Sequence, residues 1–471
     1  MRTNRSVRGL VPRLAARRVL IPAAVLLLVA LMTPVTAGAG PSGYTFTEVA
    51  AVGNPAPGGA IFSFDFEPSA INNIGQVPFT ADIDTSGDEG VFVASAGHLS
   101  QLVRAGLHGP SGVTFGPGEL GRLGQDSGGD VGLGFLLQPF DPNLPLGLNA
   151  GVFRSSQATK ALTGVEIPGA PAPGGGTFQG TFFNLGMNNQ GDLVFPGLAT
   201  GTAVEPPGTP PNYNGMAMGL FRQDHSGTAA RLVMPGDGAP GGRVFDDAWN
   251  GSINSGGDVA FGGHLVGDSC INIGSPFVCG DSLYLRHAAT GAISSIAHQG
   301  DPAPGGGTFS TAFGALINNS DQVAFVGSLG PDASPPCAVF RYQNGALSAV
   351  ARPGDPMPGG GHFFSTTCGA QGLGINQAGN ICFGAQLDIV NNGIPDTGLY
   401  CLVNGSLQLV ARTGTVVRGV GTIAYLGDVA PVSGSNPDFR YGGPMNDGGQ
   451  VLVGATMTNG TVVLLVASPA N

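Results

Sequence analysis

The chain has 471 residues, of which only 10% are charged, against roughly 25% in an average soluble domain. The formal net charge is −11, and the few basic residues form no patch, which argues against a nucleic-acid partner. Glycine contributes 82 residues without a three-residue period, which excludes collagen, while the 42% of hydrophobic residues are enough for a packed core. Short Val/Ala/Phe runs between turn residues indicate an all-β protein.

The first 39 residues have the pattern of a signal peptide. Six arginines and no acidic residue precede an apolar run at 19–32, and an Ala-x-Ala pattern predicts cleavage after Ala39. Arg17 and Arg18 leave both twin-arginine and Sec export open. Without these six of its 19 basic residues, the mature chain has 13 against 30 acidic ones, a net charge of −17. We therefore expect an acidic, secreted protein, extracellular or at the cell surface, with no membrane span after cleavage.

A nine-residue motif such as "INNSDQVAF" at 317–325 recurs along the chain. Its asparagine can bond its own backbone two residues on, and the glycine usually found at the fourth position of the turn accepts a positive φ. The motif therefore predicts a tight hairpin with a turn-forming asparagine. Seven copies, one of them with aspartate in place of asparagine, have this position at Asn72, Asp126, Asn188, Asn254, Asn318, Asn376 and Asn446.

The spacing of these copies, 54–70 residues, leaves room for four short antiparallel strands each, which is typical of a propeller blade. The last unit lacks a fourth strand, whereas residues 44–53 resemble a fourth strand without the other three. We therefore predict that residues 44–471 form one seven-bladed β-propeller, with strand 44–53 completing the last blade. An open β-solenoid is the alternative, and it would need caps at its ends.

A glycine- and proline-rich motif, "GDPAPGGGTF" at 300–309, precedes most units and predicts a junction between blades. It has neither the lysine nor the following helix of a phosphate-binding loop. Its aspartate position recurs, and the side chains there could surround one face of the propeller and hold a ligand. Local Asx turns are the alternative role for them. The candidate ligand-binding residues on this face are Asn54, Asp237, Asp301, Asp355 and the neighbouring His298.

The stretch "DIDTSGDEG" at 82–90 has oxygen-bearing residues at alternate positions and a glycine bend, which is how a calcium loop begins. Val93 stands where the loop would need its twelfth-position acid. A solvated hairpin tip is the alternative, and no other cofactor is predicted. The calcium candidates are Asp82, Asp84, Ser86 and Asp88.

Six cysteines allow 15 pairings, and export permits disulfides. We expect one disulfide to close a loop insertion and a second to join two consecutive strands. The two cysteines that remain would form the third. The predicted pairs are Cys270–Cys279, Cys382–Cys401 and Cys337–Cys368.

The two motifs, in register over residues 44–468, resemble the exported bacterial family with tandem Asn-x-x-Gly-x-x-x-Phe repeats, the choice-of-anchor tandem repeat proteins. The resemblance implies an exported repeat protein and carries no particular chemistry with it. This chain differs from anchored members, because no recognisable anchor follows its last strand-like run, and this difference favours release from the cell.

No Gly-x-Ser-x-Gly nucleophile elbow is present, and the seven histidines have no ligand spacing. The leading hypothesis is a monomeric, non-catalytic binding or scaffolding module for an extracellular glycan or protein. A polysaccharide hydrolase or lyase and a structural envelope protein are the alternatives. Clustered acids and a histidine in an asymmetric pocket would favour the enzyme. The stretch 198–218 and the insertion 263–282 both interrupt the repeat. We expect any ligand-binding specificity to lie in these two segments.

Overall fold

Seven antiparallel sheets surround a central axis in the computed structural model, which confirms the predicted propeller. The predicted signal peptide lies outside the described residues. The structure describes residues 43–84, 88–119, 122–139, 149–181, 184–200, 216–268, 270–271, 278–279, 281–330, 336–368, 372–427, 430–431 and 442–470.

Each blade has four strands, A to D, from the axis outwards. The A strands, interrupted in four blades, are Ala60–Pro68, Thr114–Glu119 with Gly124–Gln125, Phe178–Gly180 with Gly186–Met187, Phe245–Ile253, Phe309–Ile317, Phe363–Ser365 with Leu373–Ile375, and Gly421–Leu426 with Gly442–Met445. The B strands are Val77–Ile83, Val131–Gln138, Leu193–Thr200, Val259–Leu265, Val323–Leu329, Ile381–Asn391 and Val451–Met457. The C strands are Asp88–Ser95, Ala150–Ser155, Met216–Gln223, Ser282–Arg286, Cys337–Gln343, Ile394–Val403 and Val462–Pro469. The D strands are His98–Arg104, Leu162–Glu166, Ala229–Val233, Ile293–Ala297, Ala346–Ala351, Ser406–Arg412 and, for blade 7, Tyr44–Ala51.

Short elements lie at the junctions and in one insertion. Two-residue strands pair antiparallel with the first residues of strand A at the entry to blades 1 and 7, and a small hairpin projects from blade 4. These elements are Pro55–Ala56, Val416–Val417, Cys270–Ile271 and Val278–Cys279, with single 3₁₀ turns at Pro110–Gly112 and Pro240–Gly242. Among the described residues, no helix is long and apolar enough to cross a bilayer.

The ring closes as predicted. Strand Tyr44–Ala51 runs antiparallel to Val462–Pro469 from the other end of the chain, with Tyr44 opposite Pro469 and Ala51 opposite Val463. Blade 7 thereby obtains its fourth strand, and its C strand is not left as a free edge. The two ends of the propeller domain are thus joined by a strand pair that has one irregularity, between Glu48 and Ala50.

Phenylalanine side chains form the centre of blades 1 to 6, whereas the buried core of blade 7 is aliphatic. In blade 5, Phe309, Phe325 and Phe340 from strands A, B and C are all fully buried. Phe309 meets Phe340 edge-on at 5.0 Å between ring centroids, and Phe325 stacks on Phe340 at 5.5 Å. Such pairs add about 0.5–1.5 kcal/mol each beyond their buried area. The motif is therefore a core signature as well as a turn signature.

The asparagine of each motif forms the predicted turn and also joins neighbouring blades. Asn318 accepts the backbone N–H groups of Ser320 and Gln322 at 3.0 and 3.1 Å, and its amide donates to the carbonyl of Asn376 in the next blade at 3.0 Å. The same donation links four further junctions, from Asn72 to Asp126, Asn188 to Asn254, Asn376 to Asn446, and Asn446 to Asn72. We call this the asparagine ring.

The two remaining junctions of the asparagine ring use other groups. Asn254 donates to the carboxylate of Asp321 in blade 5 at 2.7 Å. In blade 2, Asp126 has no amide donor, and the hydroxyl of Ser127 donates to the carbonyl of Asn189 instead, at 3.1 Å. Hydrogen bonds between hairpins therefore continue around all seven blades.

The glycine- and proline-rich loops are junctions from strand D to the next strand A, as predicted. Gly305, Gly306 and Gly307 all have positive φ, so the loop needs glycine for its backbone conformation. Arg352 at the next junction donates to the carbonyls of Pro304 and Gly306, at 2.7 Å in both cases. Carbonyl oxygens that face a guanidinium in this way are unsuited to a bound phosphate.

Two of the three predicted disulfides are confirmed. Cys337 pairs with Cys368, and Cys382 pairs with Cys401 across strands B and C of blade 6. For the third, the backbones of Cys270 and Cys279 are directly opposite each other in the small hairpin of blade 4. Their side chains lie outside the described part of the structure.

Replacement of Asn318 tests the asparagine ring. Asn318→Asp keeps the oxygen that forms the turn and removes the donor to the next blade, whereas Asn318→Ala removes both. We expect the alanine variant to lose about 1–3 kcal/mol of unfolding free energy and the aspartate variant to lose an intermediate amount, measured by urea unfolding. Ser320→Ala is the matched control, because this exposed residue of the same turn contributes its backbone N–H, which alanine keeps. Equal stability of all three variants would contradict the interblade role.

Glu166, at the end of strand D in blade 2, is a buried carboxyl in an apolar environment. It is 0% exposed, and neither carboxyl oxygen has a hydrogen-bond partner within the described residues. Burial raises its pKa well above the ordinary value. The register places Val103, Val233, Ala297, Ala351 and Ala411 at the equivalent positions of other blades.

Replacing Glu166 with valine should stabilise the protein at neutral pH. Because the folded-state pKa is raised, the stability associated with protonated Glu166 is present below the unfolded pKa of about 4.3 and is lost as the pH rises towards the folded pKa. The gain for Glu166→Val should therefore grow from pH 4 upwards, to roughly 1–3 kcal/mol at pH 7. Urea unfolding at several pH values measures it. Glu48→Val, at an exposed site, should show no such trend, and a pH-independent difference for Glu166→Val would contradict the explanation.

Candidate functional site

Three acids and a histidine come together in blade 4. Asp246 and Asp247 lie at the start of strand A, His264 near the end of strand B, and Asp281 directly before strand C. Asp247 of strand A is directly opposite His264 of strand B. Strand C pairs with strand B so that Gly263 is opposite Ser282, and Asp281, one residue before Ser282, therefore lies next to His264. We call these four residues the blade-4 cluster. They lie at the end of the blade where the glycine- and proline-rich junctions enter strand A.

A β-bulge allows two consecutive acids to serve one site. Adjacent residues of a regular strand point to opposite faces, but the register shifts between Phe245 and Asp247. Asp246 therefore reaches the imidazole of His264, with Oδ2 and Nδ1 3.2 Å apart, while Asp247 stays opposite the same residue. The side chains of His264 and Asp246 are 4% and 12% exposed. This ion pair is shielded from most of the solvent.

Asp247 and Asp281 are proton-binding carboxyls near neutral pH. Burial raises the pKa of Asp247 to about 8, with repulsion by Asp246 adding to the effect, while His264 and the backbone N–H of Met218 oppose it. Burial also raises the pKa of Asp281 to about 7, against the attraction of His264. As whole residues, Asp247 and Asp281 are intermediate in exposure.

His264 is biased towards its charged form. Burial works against the imidazolium, but the hydrogen bond to Asp246 and the charges of Asp246, Asp268 and Asp247 outweigh it, so the pKa of His264 is raised. The cluster thus combines a histidine whose pKa is raised with two carboxyls, Asp247 and Asp281, whose pKa values lie near neutrality. Carboxyls with pKa values near the working pH are the groups that general acid–base catalysis uses.

A second group of charges borders the cluster. Arg243 forms an ion pair with Asp268 at 2.5 Å, and Nε2 of His298 lies 3.2 Å from Oδ2 of Asp268 and 3.2 Å from Nη1 of Arg243. Arg243 also donates to the carbonyl of Val266 at 2.7 Å. These contacts fix the start of the blade-4 insertion against the junction before strand A. His298, a sequence candidate, therefore lies beside the cluster.

The same strand positions carry different chemistry in other blades. The register places Thr311, Ser328 and Cys337 of blade 5 where blade 4 has Asp247, His264 and Asp281. Ser365, Gln386 and Thr397 occupy these positions in blade 6. Blade 1 has Asp82 and Glu89 at the B and C positions, without a histidine. The combination of acids with histidine thus breaks the repeat in blade 4.

The junction aspartates form local turns. Asp237, Asp301 and Asp355 each accept, at 2.8 Å, the backbone N–H of the residue three positions earlier: Met234, His298 and Arg352. Asp237 is also paired with Arg231. Asn54 is exposed and donates to Glu48 at 3.4 Å. These hydrogen bonds are local, like those of the turn alternative, but they come from the residue three positions earlier and not from two residues on as in an Asx turn.

The calcium candidates are only partly described, because Ser86 lies outside the described residues. Asp84 has a φ of 55° and accepts the backbone N–H of Ile61 at 3.1 Å, and Asp82 and Asp88 lie on strands B and C of blade 1. In the described part of the chain, no three His, Cys, Asp or Glu side chains are grouped as for a metal ion. Calcium at this hairpin stays a prediction.

The blade-4 cluster was not singled out from the sequence, although its neighbourhood was. Met218, whose N–H contacts Asp247, ends the long stretch 198–218, and His264 and Asp281 flank the insertion that contains the predicted Cys270–Cys279 pair. An alignment of the repeats on their hairpin motifs would have shown that Asp247 and Asp281 stand where blades 5 and 6 have uncharged residues. The bulge that turns Asp246 towards His264 has no signal in the sequence.

A seven-bladed β-propeller with an acid–histidine cluster in one blade is the class of protein that these observations define. The chain belongs to a family of unknown function, DUF7453, whose pattern matches residues 40–470. A comparison with curated proteins gives no match.

Among solved structures, the fold is similar to those of several enzymes. An oligogalacturonate lyase in complex with manganese has 13% identity and a TM-score of 0.45, over 92% of this chain and 99% of the lyase. An ulvan lyase of polysaccharide lyase family PL25 has 12% identity and a TM-score of 0.43, over 88% and 95%. A puromycin-hydrolyzing peptidase of Mycobacterium tuberculosis has 11% identity and a TM-score of 0.45, over 87% of this chain and 52% of the peptidase. No activity is inferred from likenesses this distant.

Proposed function

We propose that this protein is an exported glycan hydrolase whose active site is the blade-4 cluster. The observation that carries the proposal is the grouping of two carboxyls, Asp247 and Asp281, with the ion pair of His264 and Asp246. Burial raises the pKa values of Asp247 and Asp281 to about 8 and 7. Glycoside hydrolysis needs one carboxyl that carries a proton and one that is ionised. In this site Asp247 is the proton donor, and Asp281 is the base or nucleophile.

The charge of the site narrows the substrate class. The cluster consists of acids and one histidine, and the nearest arginine, Arg243, is already paired with Asp268. A polyuronate would bring further negative charge, and elimination from it would require a group that neutralises its carboxylate. An uncharged or cationic polysaccharide avoids this repulsion. A hydrolase of such a glycan therefore fits the site better than a lyase.

Export is part of the proposal. The arginine-rich, apolar start of the sequence and the resemblance to choice-of-anchor tandem repeat proteins support it. The disulfides Cys337–Cys368 and Cys382–Cys401 are also consistent with an oxidising compartment. An exported protein would encounter extracellular polysaccharides as substrates.

Non-catalytic binding is the second candidate, and one observation favours it. Ser365 of blade 6 accepts the backbone N–H of Cys337 in the preceding blade at 2.9 Å. Asp247 of blade 4, at the equivalent position, accepts the backbone N–H of Met218 in its preceding blade. The side chain at this position of strand A therefore also joins neighbouring blades. If that is the role of Asp247, the blade-4 cluster would bind a glycan without cleaving it.

Turnover by isosteric variants separates these two functions. Asp247→Asn keeps an oxygen that can accept the Met218 N–H but cannot serve as the proton donor, and Asp281→Asn removes the ionised partner. We expect kcat to fall about 10²–10⁴-fold in each variant, measured by reducing-sugar release from a panel of neutral and cationic polysaccharides. Far-UV circular dichroism and melting temperature check the fold.

Asp355→Asn is the matched control, because this exposed junction aspartate accepts only a local turn hydrogen bond among the described contacts. It should retain wild-type kcat. Glycan binding by calorimetry without any turnover in the wild type would establish the binding module instead. Turnover that survives both Asp247→Asn and Asp281→Asn would place the active site elsewhere.

The pH dependence of kcat/KM should report the same two carboxyls. Because a raised pKa keeps Asp247 protonated until the pH passes about 8, the rate should fall above that value. Ionised Asp281 is lost as the pH falls through about 7, so the rate should also fall below it. The profile is therefore bell-shaped, with both limbs belonging to the coupled pair. A maximum near pH 4–5 would mean ordinary carboxyls and would contradict this assignment of roles.

A further inference from the structure

The A strands enclose a cavity on the propeller axis, at the opposite end of the propeller from the blade-4 cluster. Its outer part has a volume of about 160 Å³, is lined by residues of all seven blades and reaches the exposed residues of the hairpins. An adjoining inner part has a volume of about 130 Å³. We call the two parts together the axial cavity. Both volumes are below the roughly 300–1,000 Å³ of sites for drug-sized molecules, so a ligand here has to be small.

The rim of the outer part consists of hairpin side chains with amide and hydroxyl groups, namely Asn189, Ser255, Asn319 and Gln377. Oδ1 of Asn319 accepts the backbone N–H of Ser255, and Oε1 of Gln377 accepts that of Asn319, at 2.8 Å in both cases. These bonds between neighbouring blades hold the two carboxamides in place. Within the described residues, their NH₂ groups, the amide of Asn189 and the hydroxyl of Ser255 have no hydrogen-bond partner. The rim therefore offers donors and acceptors whose positions are largely fixed before a ligand binds.

The wall below the rim is mostly apolar, with Ile253, Leu316, Ile375 and Met445 from four blades. None of the described residues that line either part is an acid. Apolar walls with a few neutral hydrogen-bonding groups suit a molecule that has C–H faces and hydroxyl groups. A sugar ring has this combination, because its hydroxyl groups both donate and accept.

Gln125 of blade 2 adds a polar side chain where the repeat has an apolar one. It lines the inner part of the axial cavity, and the equivalent residues of the other blades are Ile71, Met187, Ile253, Ile317, Ile375 and Met445. Both polar atoms of its carboxamide are shielded from solvent, and neither has a hydrogen-bond partner in the described part of the chain. Hydroxyl groups of a ligand can satisfy both atoms once this flexible side chain turns towards them, whereas an anion offers acceptors only. Gln125 therefore favours a neutral ligand with hydroxyl groups.

Arg122 also lines both parts of the axial cavity. The carbonyl groups of Ser69 in blade 1 and Leu373 in blade 6 accept hydrogen bonds from its Nε at 2.7 Å and its Nη1 at 3.3 Å. Because Arg122 already has these partners, it does not call for an anionic ligand. The equivalent residues of the other blades are uncharged, namely Pro68, Asn184, Asn250, Gly314, Gly372 and Gly442.

We propose that the axial cavity binds one uncharged sugar residue, with Asn189, Ser255, Asn319 and Gln377 as the groups that hydrogen-bond its hydroxyls. The cavity is too small for an oligosaccharide, so the ligand is a monosaccharide or a single terminal residue of a glycan. The site is separate from the blade-4 cluster, and this inference does not rest on the proposed hydrolase activity.

Isothermal titration calorimetry of the wild-type protein with neutral monosaccharides is the first test. The panel consists of glucose, galactose, mannose, rhamnose and N-acetylglucosamine. We expect saturable binding of at least one of them, whether or not the protein hydrolyses any glycan. No binding of any sugar of the panel up to tens of millimolar would overturn the proposal.

Variants place the bound sugar. Gln377→Met removes an amide of the rim at nearly constant side-chain length and should lower the affinity roughly 2- to 12-fold, the range for one hydrogen bond. Ala70→Leu fills space that both parts share and should lower it further. Gln190→Met is the matched control, because this exposed hairpin glutamine lies outside the described lining and should bind as the wild type does. Binding that is lost in Asp247→Asn but kept in Gln377→Met and Ala70→Leu would place the sugar at the blade-4 cluster and overturn the proposal.

A crystal structure of the wild type soaked with the sugar that binds requires no variant to fold. We expect density for one sugar ring in the axial cavity, beside Asn319 and Gln377. An empty axial cavity in crystals soaked at saturating concentration would also overturn the proposal.

Discussion

The whole structure depends on the fact that a blade is apolar on both faces and cannot be stable alone. In blade 4, every residue of strand B, Val259–Leu265, is buried, so neither face of the sheet can be left to solvent. Each blade must therefore lie between two others, and only a closed ring meets this requirement for all seven. Strand Tyr44–Ala51 closes the ring through the sheet of blade 7, and Asn446 closes it a second time through the asparagine ring.

This constraint makes departures from the repeat informative. A residue that serves blade packing recurs in equivalent positions, as the core phenylalanines and the hairpin asparagines do. Glu166, Arg122 and the blade-4 cluster do not recur, and each places a titratable group where other blades have apolar or neutral side chains. Glu166 has no hydrogen-bond partner among the described residues and should lower stability at neutral pH. The blade-4 cluster is the proposed catalytic site.

The blade-4 cluster and Arg122 differ in charge and in position. The cluster concentrates acids next to the insertion, where Asp268 and Arg243 hold the chain in position. Arg122 lies near the axis, where carbonyl groups of Ser69 and Leu373 from two other blades accept its hydrogen bonds. A neutral or cationic glycan suits the proposed site at the cluster.

Much of the architecture could be predicted from the sequence. The number of blades, the hairpin turns, the ring closure and two disulfides all follow from local patterns, because turn chemistry and strand alternation act between residues that are close along the chain. The junction aspartates were predicted to be either ligands or Asx-turn formers, and the structure gives each a local hydrogen bond from the N–H of Met234, His298 or Arg352, three positions earlier.

The candidate sites depend on what lies far apart along the chain or on backbone detail. A bulge at Phe245–Asp247 turns Asp246 towards His264, and the pairing of strands B and C brings Asp281 to them across the insertion. Arg122 meets Leu373, 251 positions away, only because the ring sets blades 2 and 6 around one axis. The sequence by itself determined the repeating unit and its closure. Only the tertiary structure decided which titratable groups were buried together, because burial and the pKa changes it causes depend on the packing of neighbouring blades.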